Sequence, residues 1–138
     1  MNYSKQFKLL KNLPSKLNNF YNKNSKFSLK ISNKSKNKNE FDPVTNLDKA
    51  FEKFIRNVIV KHFPQDSILG EEFLEKYSNS DYKWFIDPID GTKAFMVGAP
   101  SWSNLIGITH KNKSVLGLAN FPALNKFYIN DQKKSYLI

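Results

Sequence analysis

The sequence has no cysteine among its 138 residues. Disulfide bonds, thiolate zinc sites and a cysteine nucleophile are therefore excluded for this chain. No apolar run reaches the roughly 18 residues that a membrane-spanning helix needs. The first residues also lack the apolar segment of a secretory signal. These absences predict a cytoplasmic protein with no membrane partner.

Acidic residues are absent before Glu40, although the whole chain carries a formal net charge of +10. Such a basic segment can bind nucleic acid. Between residues 33 and 39, however, the lysines alternate with asparagine and serine, which is more typical of a solvated loop. A nucleic-acid-binding module is therefore an alternative hypothesis, and the less favoured one. An organelle transit peptide is a minor alternative, because the first arginine is Arg56.

Two helices are predicted in the first half of the chain. Apolar residues at near-helical spacing predict one helix over residues 3–21, which Pro14 should kink or interrupt. The second should run from Thr45 or Asn46 to His62, because its apolar residues recur with the period of an amphipathic helix. Residues 27–31 alternate between apolar and polar side chains and predict a half-buried strand.

The second half is predicted to consist mainly of strands. Short apolar runs between polar turns indicate strands at 67–70, 82–86, 102–109, 114–121, 127–130 and 135–138. A loop at 73–81 and one helical turn at 93–97 complete the pattern. Helices followed by a strand meander predict one α+β domain in which two helices pack on an antiparallel sheet.

The stretch WFIDPIDGT at residues 84–92 combines acidic and helix-starting residues. Its apolar part predicts a strand, which Pro88 should end, because proline cannot donate to a central strand pair. Asp87 and Asp90 follow, and then Gly91 and Thr92 can begin a helix. Two carboxylates on a stiff turn beside a helix start suit a divalent cation and a phosphate group.

This stretch has three other interpretations. A tight turn without function is common for these residue types. An EF-hand loop would need glutamate at its twelfth position, where this chain has Gly98. A haloacid-dehalogenase phosphatase would have one residue between its two aspartates, whereas Pro88 and Ile89 both lie between Asp87 and Asp90. The EF-hand loop and the haloacid-dehalogenase site are therefore excluded, and a tight turn without function remains an alternative.

Acidic residues also lie in two earlier motifs, DPVTNLD at 42–48 and ILGEE at 68–72. Together with the stretch at 84–92, and in this order and spacing, they resemble the inositol monophosphatase superfamily. The resemblance extends over about residues 28–127. It implies the N-terminal half of a layered αβαβα sugar-phosphatase fold.

The resemblance implies Mg²⁺ as the cofactor and assigns four ligand positions. Glu71, Asp87 and Asp90 match carboxylate ligands of the metal ions, and Ile89 matches a ligand through its backbone carbonyl. Glu72 matches a motif position that does not usually bind the metal directly.

Further roles follow from the same resemblance. Asp48 and Thr92 match the pair that helps to deprotonate the attacking water, and they form the catalytic set with Glu71. Gly91 and Thr92 match amides that bind the phosphate, and Lys34 matches a loop lysine near the substrate. The implied reaction is direct attack of water on a phosphate monoester, with no phosphoenzyme.

The run after Thr92 is most similar to the bacterial histidinol-phosphatase branch of the superfamily. The expected substrate is therefore histidinol phosphate, a small metabolite of histidine biosynthesis. Inositol 1-phosphate, a nucleotide 3′-phosphate and a sugar bisphosphate stay open as alternatives. Ser103 and Val97 depart from the branch pattern, outside the acidic motifs.

Members of the superfamily are about twice as long and carry a further Trp-Asp motif, which this chain lacks. We therefore expect a chain truncated at its C-terminus that exposes apolar surface, binds metal weakly and hydrolyses little. A homodimer is expected for the full-length form. An inactive fragment that docks on a full-length relative is a second alternative function.

Overall fold

The structure is a computed structural model that describes residues 3–24, 29–37, 39–41 and 43–138. The helices are α1 (Ser4–Asn24), α2 (Asn46–His62) and α3 (Thr92–Met96), and Pro122–Leu124 forms a 3₁₀ turn. The strands are β1 (Ile31–Asn33), β2 (Pro43–Thr45), β3 (Ser67–Gly70), β4 (Tyr82–Asp90), β5 (Ser103–His110), β6 (Lys113–Phe121), β7 (Lys126–Asn130) and β8 (Ser135–Leu137). None of the helices in these ranges is both long and apolar enough to cross a membrane.

Six strands form one sheet in the order β3-β4-β5-β6-β7-β8. Every neighbouring pair is antiparallel except β3 and β4, which are parallel. β1 and β2 form a separate antiparallel pair. The predicted α+β class is confirmed, and the antiparallel sheet has one parallel pair at its β3 edge.

α1 and α2 cover one face of this sheet, and the core lies between the two helices and the sheet. Alternate residues of each strand point to the helices, as the two-residue period of a strand requires. The largest fully buried side chains include Leu10, Leu13, Leu17, Phe51, Ile55, Ile59, Trp84, Ile108 and Ile129. α2 has the predicted bounds, because Thr45 caps its first turn and Asp48 completes a capping box.

The opposite face of the sheet is open. One row across it consists of Leu69, Phe85, Gly107 and Gly117, and the next of Asp87, Leu105, Ala119 and Tyr128. Leu69 and Phe85 are each 37% exposed, and Tyr128 is 48% exposed. The sheet therefore exposes apolar surface, as expected, and this surface extends to Asp87.

α1 continues through Pro14, so of the two predicted effects of this residue, a kink or an interruption, the interruption is wrong. Proline inside a helix costs about 3 kcal/mol, because its missing N–H leaves a carbonyl without a donor. Pro14 is itself buried among leucines of the helix, so core packing offsets this cost.

The predicted strand at 27–31 is wrong in its described part. Residues 25–28 lie outside the described residues, and β1 begins only at Ile31. Its three residues are exposed rather than half-buried. β1 pairs only with β2, so neither strand joins the main sheet that would bury its apolar side chains.

Candidate functional site

β4 extends through Pro88 to Asp90, which corrects the prediction that it ends at Ile86. The parallel partner β3 ends first, because Gly70 pairs with Ile86. Beyond that point β4 has a neighbour on one side only, and its register against β5 shifts between Asp87 and Asp90. Pro88 is tolerated because it occupies this irregular segment at a free edge.

Gly91 turns the chain from β4 into α3. Its φ of 82° lies in the left-handed region, and its carbonyl accepts the Phe95 amide at 3.0 Å. Any other residue would be strained there. The turn places Asp90 and Thr92 on either side of the glycine, at the start of the helix.

Thr92 and Asp48 lie together, as the sequence predicts. The Thr92 hydroxyl is 3.1 Å from two acceptors, Asp48 Oδ1 and the Ile89 carbonyl oxygen, and its one hydrogen is shared between them. The other oxygen of Asp48 accepts from the Thr45 amide at 2.8 Å and from the Thr45 hydroxyl at 2.5 Å. Asp48 is buried and fixed at both oxygens, so one of them points steadily at Thr92.

A buried carboxylate that sequence reasoning missed holds the turn that carries Glu71. Glu52 of α2 accepts from the Glu72 amide at 2.8 Å, from the Phe73 amide at 3.0 Å and from Arg56 at 3.0 Å. Gly70 allows this approach, since a Cβ there would lie 2.3 Å from Glu52 Oε1. The helical spacing of charges at 48, 52 and 56 was the signal that could have revealed Glu52.

Lys34 reaches the same corner from the loop after β1. Its ammonium is 3.3 Å from Glu72 Oε1 and 3.9 Å from Glu71 Oε2. Burial raises the pKa of Glu72, and Lys34 opposes that rise. The ion pairs therefore hold the lysine beside the acidic residues, and its contact with a substrate stays a prediction.

One cavity of about 320 Å³ brings the predicted residues together. Its lining consists of Lys34, Glu71, Asp87, Ile89, Asp90, Gly91, Thr92 and Lys93. Asp48 stands behind Thr92 rather than in the lining. The two histidines lie elsewhere: His62 bonds the Val58 carbonyl, and His110 packs against Tyr3 and Tyr82.

Asp87 is the most perturbed group of this cavity. Its Oδ1 atom is buried and has no hydrogen-bond partner among the residues that the structure describes. Burial, and then the negative charges of Glu71, Asp90 and Asp48, raise the pKa of Asp87 to about 7, and Lys34 lowers it. A buried acceptor among like charges is destabilised unless a cation approaches it.

The donor chemistry of the cavity fits Mg²⁺. The ion prefers carboxylate oxygens, with water and substrate phosphate filling its remaining positions. Among the described residues, no three His, Asp or Glu side chains are already grouped as they would be around a bound metal ion. The unpaired oxygen of Asp87 is nevertheless aimed where a cation would relieve the crowding of negative charge.

Comparison with known proteins agrees with this geometry. A model of the inositol monophosphatase family matches residues 7–137, nearly the whole chain. The chain belongs to the inositol monophosphatase family. The match extends further in both directions than the resemblance of the motifs alone.

Individual family members are similar over shorter ranges. A histidinol-phosphatase of Chlorobaculum parvum is 42% identical over 91 residues, which cover 66% of this chain and 35% of that protein. A fructose-1,6-bisphosphatase/inositol-1-monophosphatase of Aquifex aeolicus is 38% identical over 91 residues, covering 66% and 34%. The chain thus spans about a third of the curated relatives that it matches.

The fold of the family is also shown by a solved structure. An IMPase/NADP phosphatase complexed with Mg²⁺ and phosphate superposes with a TM-score of 0.86 at 19% identity. The superposition covers 99% of this chain and 52% of that chain. The chain therefore corresponds to about half of a family fold.

Proposed function

We propose that the chain forms the acidic half of the active site of a Mg²⁺-dependent phosphoric monoester hydrolase. The observation that carries the proposal is the single cavity that gathers Glu71, Asp87, Asp90 and Thr92. The family match and the unpaired oxygen of Asp87 support it.

Four oxygen donors would hold the metal: the carboxylates of Glu71, Asp87 and Asp90 and the carbonyl of Ile89. When bound, Mg²⁺ would supply charge stabilisation for the phosphoryl group and lower the pKa of the attacking water. The rest of the chemistry depends on side chains of the chain.

Thr92 and Asp48 are suited to take a proton from the attacking water. The Thr92 hydroxyl donates its hydrogen to Asp48 Oδ1, which leaves its oxygen free to accept from water. Asp48 would receive the proton that Thr92 passes on, because its other oxygen is already fixed by Thr45. Glu71 completes the proposed catalytic set at the opposite wall.

The substrate phosphate is expected to lie between Lys34 and the start of α3. Lys34 provides positive charge that Glu71 and Glu72 hold in place. The backbone amides of Gly91 and Thr92 are the proposed phosphate donors at the turn.

Histidinol phosphate is the proposed substrate, since a histidinol-phosphatase shares 42% identity with the chain. Inositol 1-phosphate is the second candidate, because the Aquifex aeolicus relative at 38% identity bears that activity in its name. A cytoplasmic location, a homodimeric full-length form and a role in histidine biosynthesis belong to the same proposal.

Phosphate release and binding test this function together. Purified chain is incubated with histidinol phosphate, inositol 1-phosphate or adenosine 3′-phosphate, with Mg²⁺ or with EDTA. We expect slow release that needs Mg²⁺, is fastest with histidinol phosphate and is lost in Asp90→Asn. Release that survives EDTA contradicts the proposal. So does the absence of both release and Mg²⁺-dependent binding of all three esters.

A further inference from the structure

Two asparagines lie in the core behind the acidic turn. Asn104 of β5 and Asn120 of β6 are both fully buried and are direct partners across the two strands. They point to the helix-covered face, among apolar side chains. Burying an amide is costly, and Asn120 Oδ1 has no hydrogen-bond partner among the described residues. The bonds that the two amides do make must therefore offset this cost.

The two amides form a hydrogen-bonded line from α1 to the acidic turn. Asn120 Nδ2 donates to Asn18 Oδ1 and to Asn104 Oδ1, each at 3.0 Å. Asn104 Nδ2 then donates to the carbonyl oxygen of Pro88 at 2.7 Å. At its outer end, Asn18 Nδ2 donates to Asn125 Oδ1 at 3.3 Å.

The direction of this line is set by Pro88. A carbonyl oxygen only accepts, so Asn104 must present its Nδ2 to Pro88 and its Oδ1 to Asn120. Asn120 must then donate to Asn104, and its second hydrogen is directed to Asn18. Asn120 therefore satisfies the Oδ1 of Asn104 and stabilises the orientation in which Asn104 donates to Pro88.

The carbonyl of Pro88 needs this donor because the regular pairing of β4 is interrupted there. β3 has already ended, and the register with β5 shifts between Asp87 and Asp90. The next carbonyl, that of Ile89, lies 3.1 Å from the Thr92 hydroxyl and shares its hydrogen with Asp48 Oδ1. Two successive peptide groups between Asp87 and Asp90 are thus held by side chains rather than by a strand.

We propose that Asn104, oriented by Asn120, is a positioning residue for the metal-binding turn. Its bond to Pro88 fixes the peptide planes that aim the carboxylates of Asp87 and Asp90 into the cavity. The relation to a metal rests on the proposed function. Residues that orient metal ligands from behind typically change metal affinity by about 10-fold to 100-fold when replaced.

The test compares Asn104→Leu, which removes the donor, with Ile108→Ala as the matched control. Ile108 lies on the same strand and the same buried face but does not contact the turn through this line. Urea unfolding first identifies conditions in which each variant is fully folded. Two quantities are then measured: the backbone amide shifts of residues 89–92 in the metal-free chain, and the dissociation constant of Mn²⁺.

We expect Asn104→Leu to move the turn amides and to weaken Mn²⁺ binding by about tenfold. Ile108→Ala should leave both quantities close to those of the unmodified chain. Asn120→Leu should give a smaller change in the same direction, and it decides the outcome if Asn104→Leu does not fold. Equal effects of the asparagine variants and of Ile108→Ala would overturn the proposal.

The two proposals fail in different ways. If the unmodified chain binds no Mn²⁺, the proposed function is contradicted, and the amide shifts alone judge the positioning role. Shifts confined to residues 87–92 in the asparagine variants would then support it. Unchanged shifts at those residues would overturn it.

Discussion

Replacing Asp87 by asparagine should stabilise the metal-free chain while removing a metal ligand. The carboxylate has a buried oxygen with no partner, and its pKa is raised from 3.8 to about 7, chiefly by burial. The folded chain therefore binds this proton more tightly than the unfolded chain does. The stabilisation that protonated Asp87 gives to the folded state is fully present below pH 4. It decreases as the pH rises to about 7 and does not change further above that value.

The magnitude follows from the same pKa values. At about 1.4 kcal/mol for each pH unit, the rise from 3.8 to about 7 corresponds to about 4 kcal/mol. Solvent in the open cavity screens the charge, so we expect about 2 kcal/mol in practice. Asp87→Asn keeps the shape of the side chain and removes the charge. Its free energy of unfolding should exceed that of the unmodified chain by this amount at pH 8, and the two should converge near pH 4.

Urea unfolding monitored by the fluorescence of the buried Trp84 and Trp102 measures this difference at pH 4, 6 and 8. Asp81→Asn is the control, because Asp81 is exposed and does not line the cavity. Saturating Mg²⁺ should reverse the order, since a ligand that binds only the folded state stabilises it. The reasoning is refuted if the difference in free energy of unfolding between Asp87→Asn and the unmodified chain is no larger at pH 8 than at pH 4.

Three further predictions concern the surroundings of the cavity. Gly70→Ala should lower the free energy of unfolding by about 2 kcal/mol, because its Cβ would meet Glu52 at 2.3 Å. Gly107→Ala, whose new Cβ would meet no described residue other than its chain neighbours within 4 Å, should be neutral in the same urea assay, and equal effects would contradict the assignment. Glu52→Gln should lower the free energy of unfolding in urea by about 3 kcal/mol, because Arg56 would lose its buried charged partner. A change below about 1 kcal/mol would show that Glu52 does not hold the turn. Thr92→Val should lower phosphate release by about 100-fold, and unchanged release would remove Thr92 from the reaction.

Local patterns were sufficient to predict much of the fold. α2 begins at its predicted residue because Thr45 and Asp48 form a capping box that any chain with these residues can form locally. β3 was predicted with its observed bounds, and the β5–β6 hairpin lies within one residue of its predicted ends. Short apolar runs between polar turns determine such elements almost independently of their surroundings.

Features that depend on distant partners were not predictable. Proline normally ends a central strand, yet Pro88 lies inside β4 because β3 stops two residues earlier. Nothing in the local sequence reports where a neighbouring strand ends. Pro14 is tolerated in α1 for a similar reason, since the burial of the helix depends on the sheet beneath it.

The candidate site shows the same division. The spacing of the acidic motifs led to Glu71, Asp87 and Asp90, which the structure brings to one cavity. Glu52 and Asn104, which hold the turns behind them, were missed. Their roles arise from contacts across 20 and 16 positions in the chain, so only the folded chain reveals them.

The central claim is that the turn from Asp87 to Asp90 binds a divalent cation. Isothermal titration of the metal-free chain with Mg²⁺ at pH 8 tests it most directly, because Asp87 is then deprotonated. We predict saturable binding to the unmodified chain and a loss of affinity of about tenfold or more in Asp87→Asn. Equal affinity of the two proteins, or no binding to either, would contradict the claim.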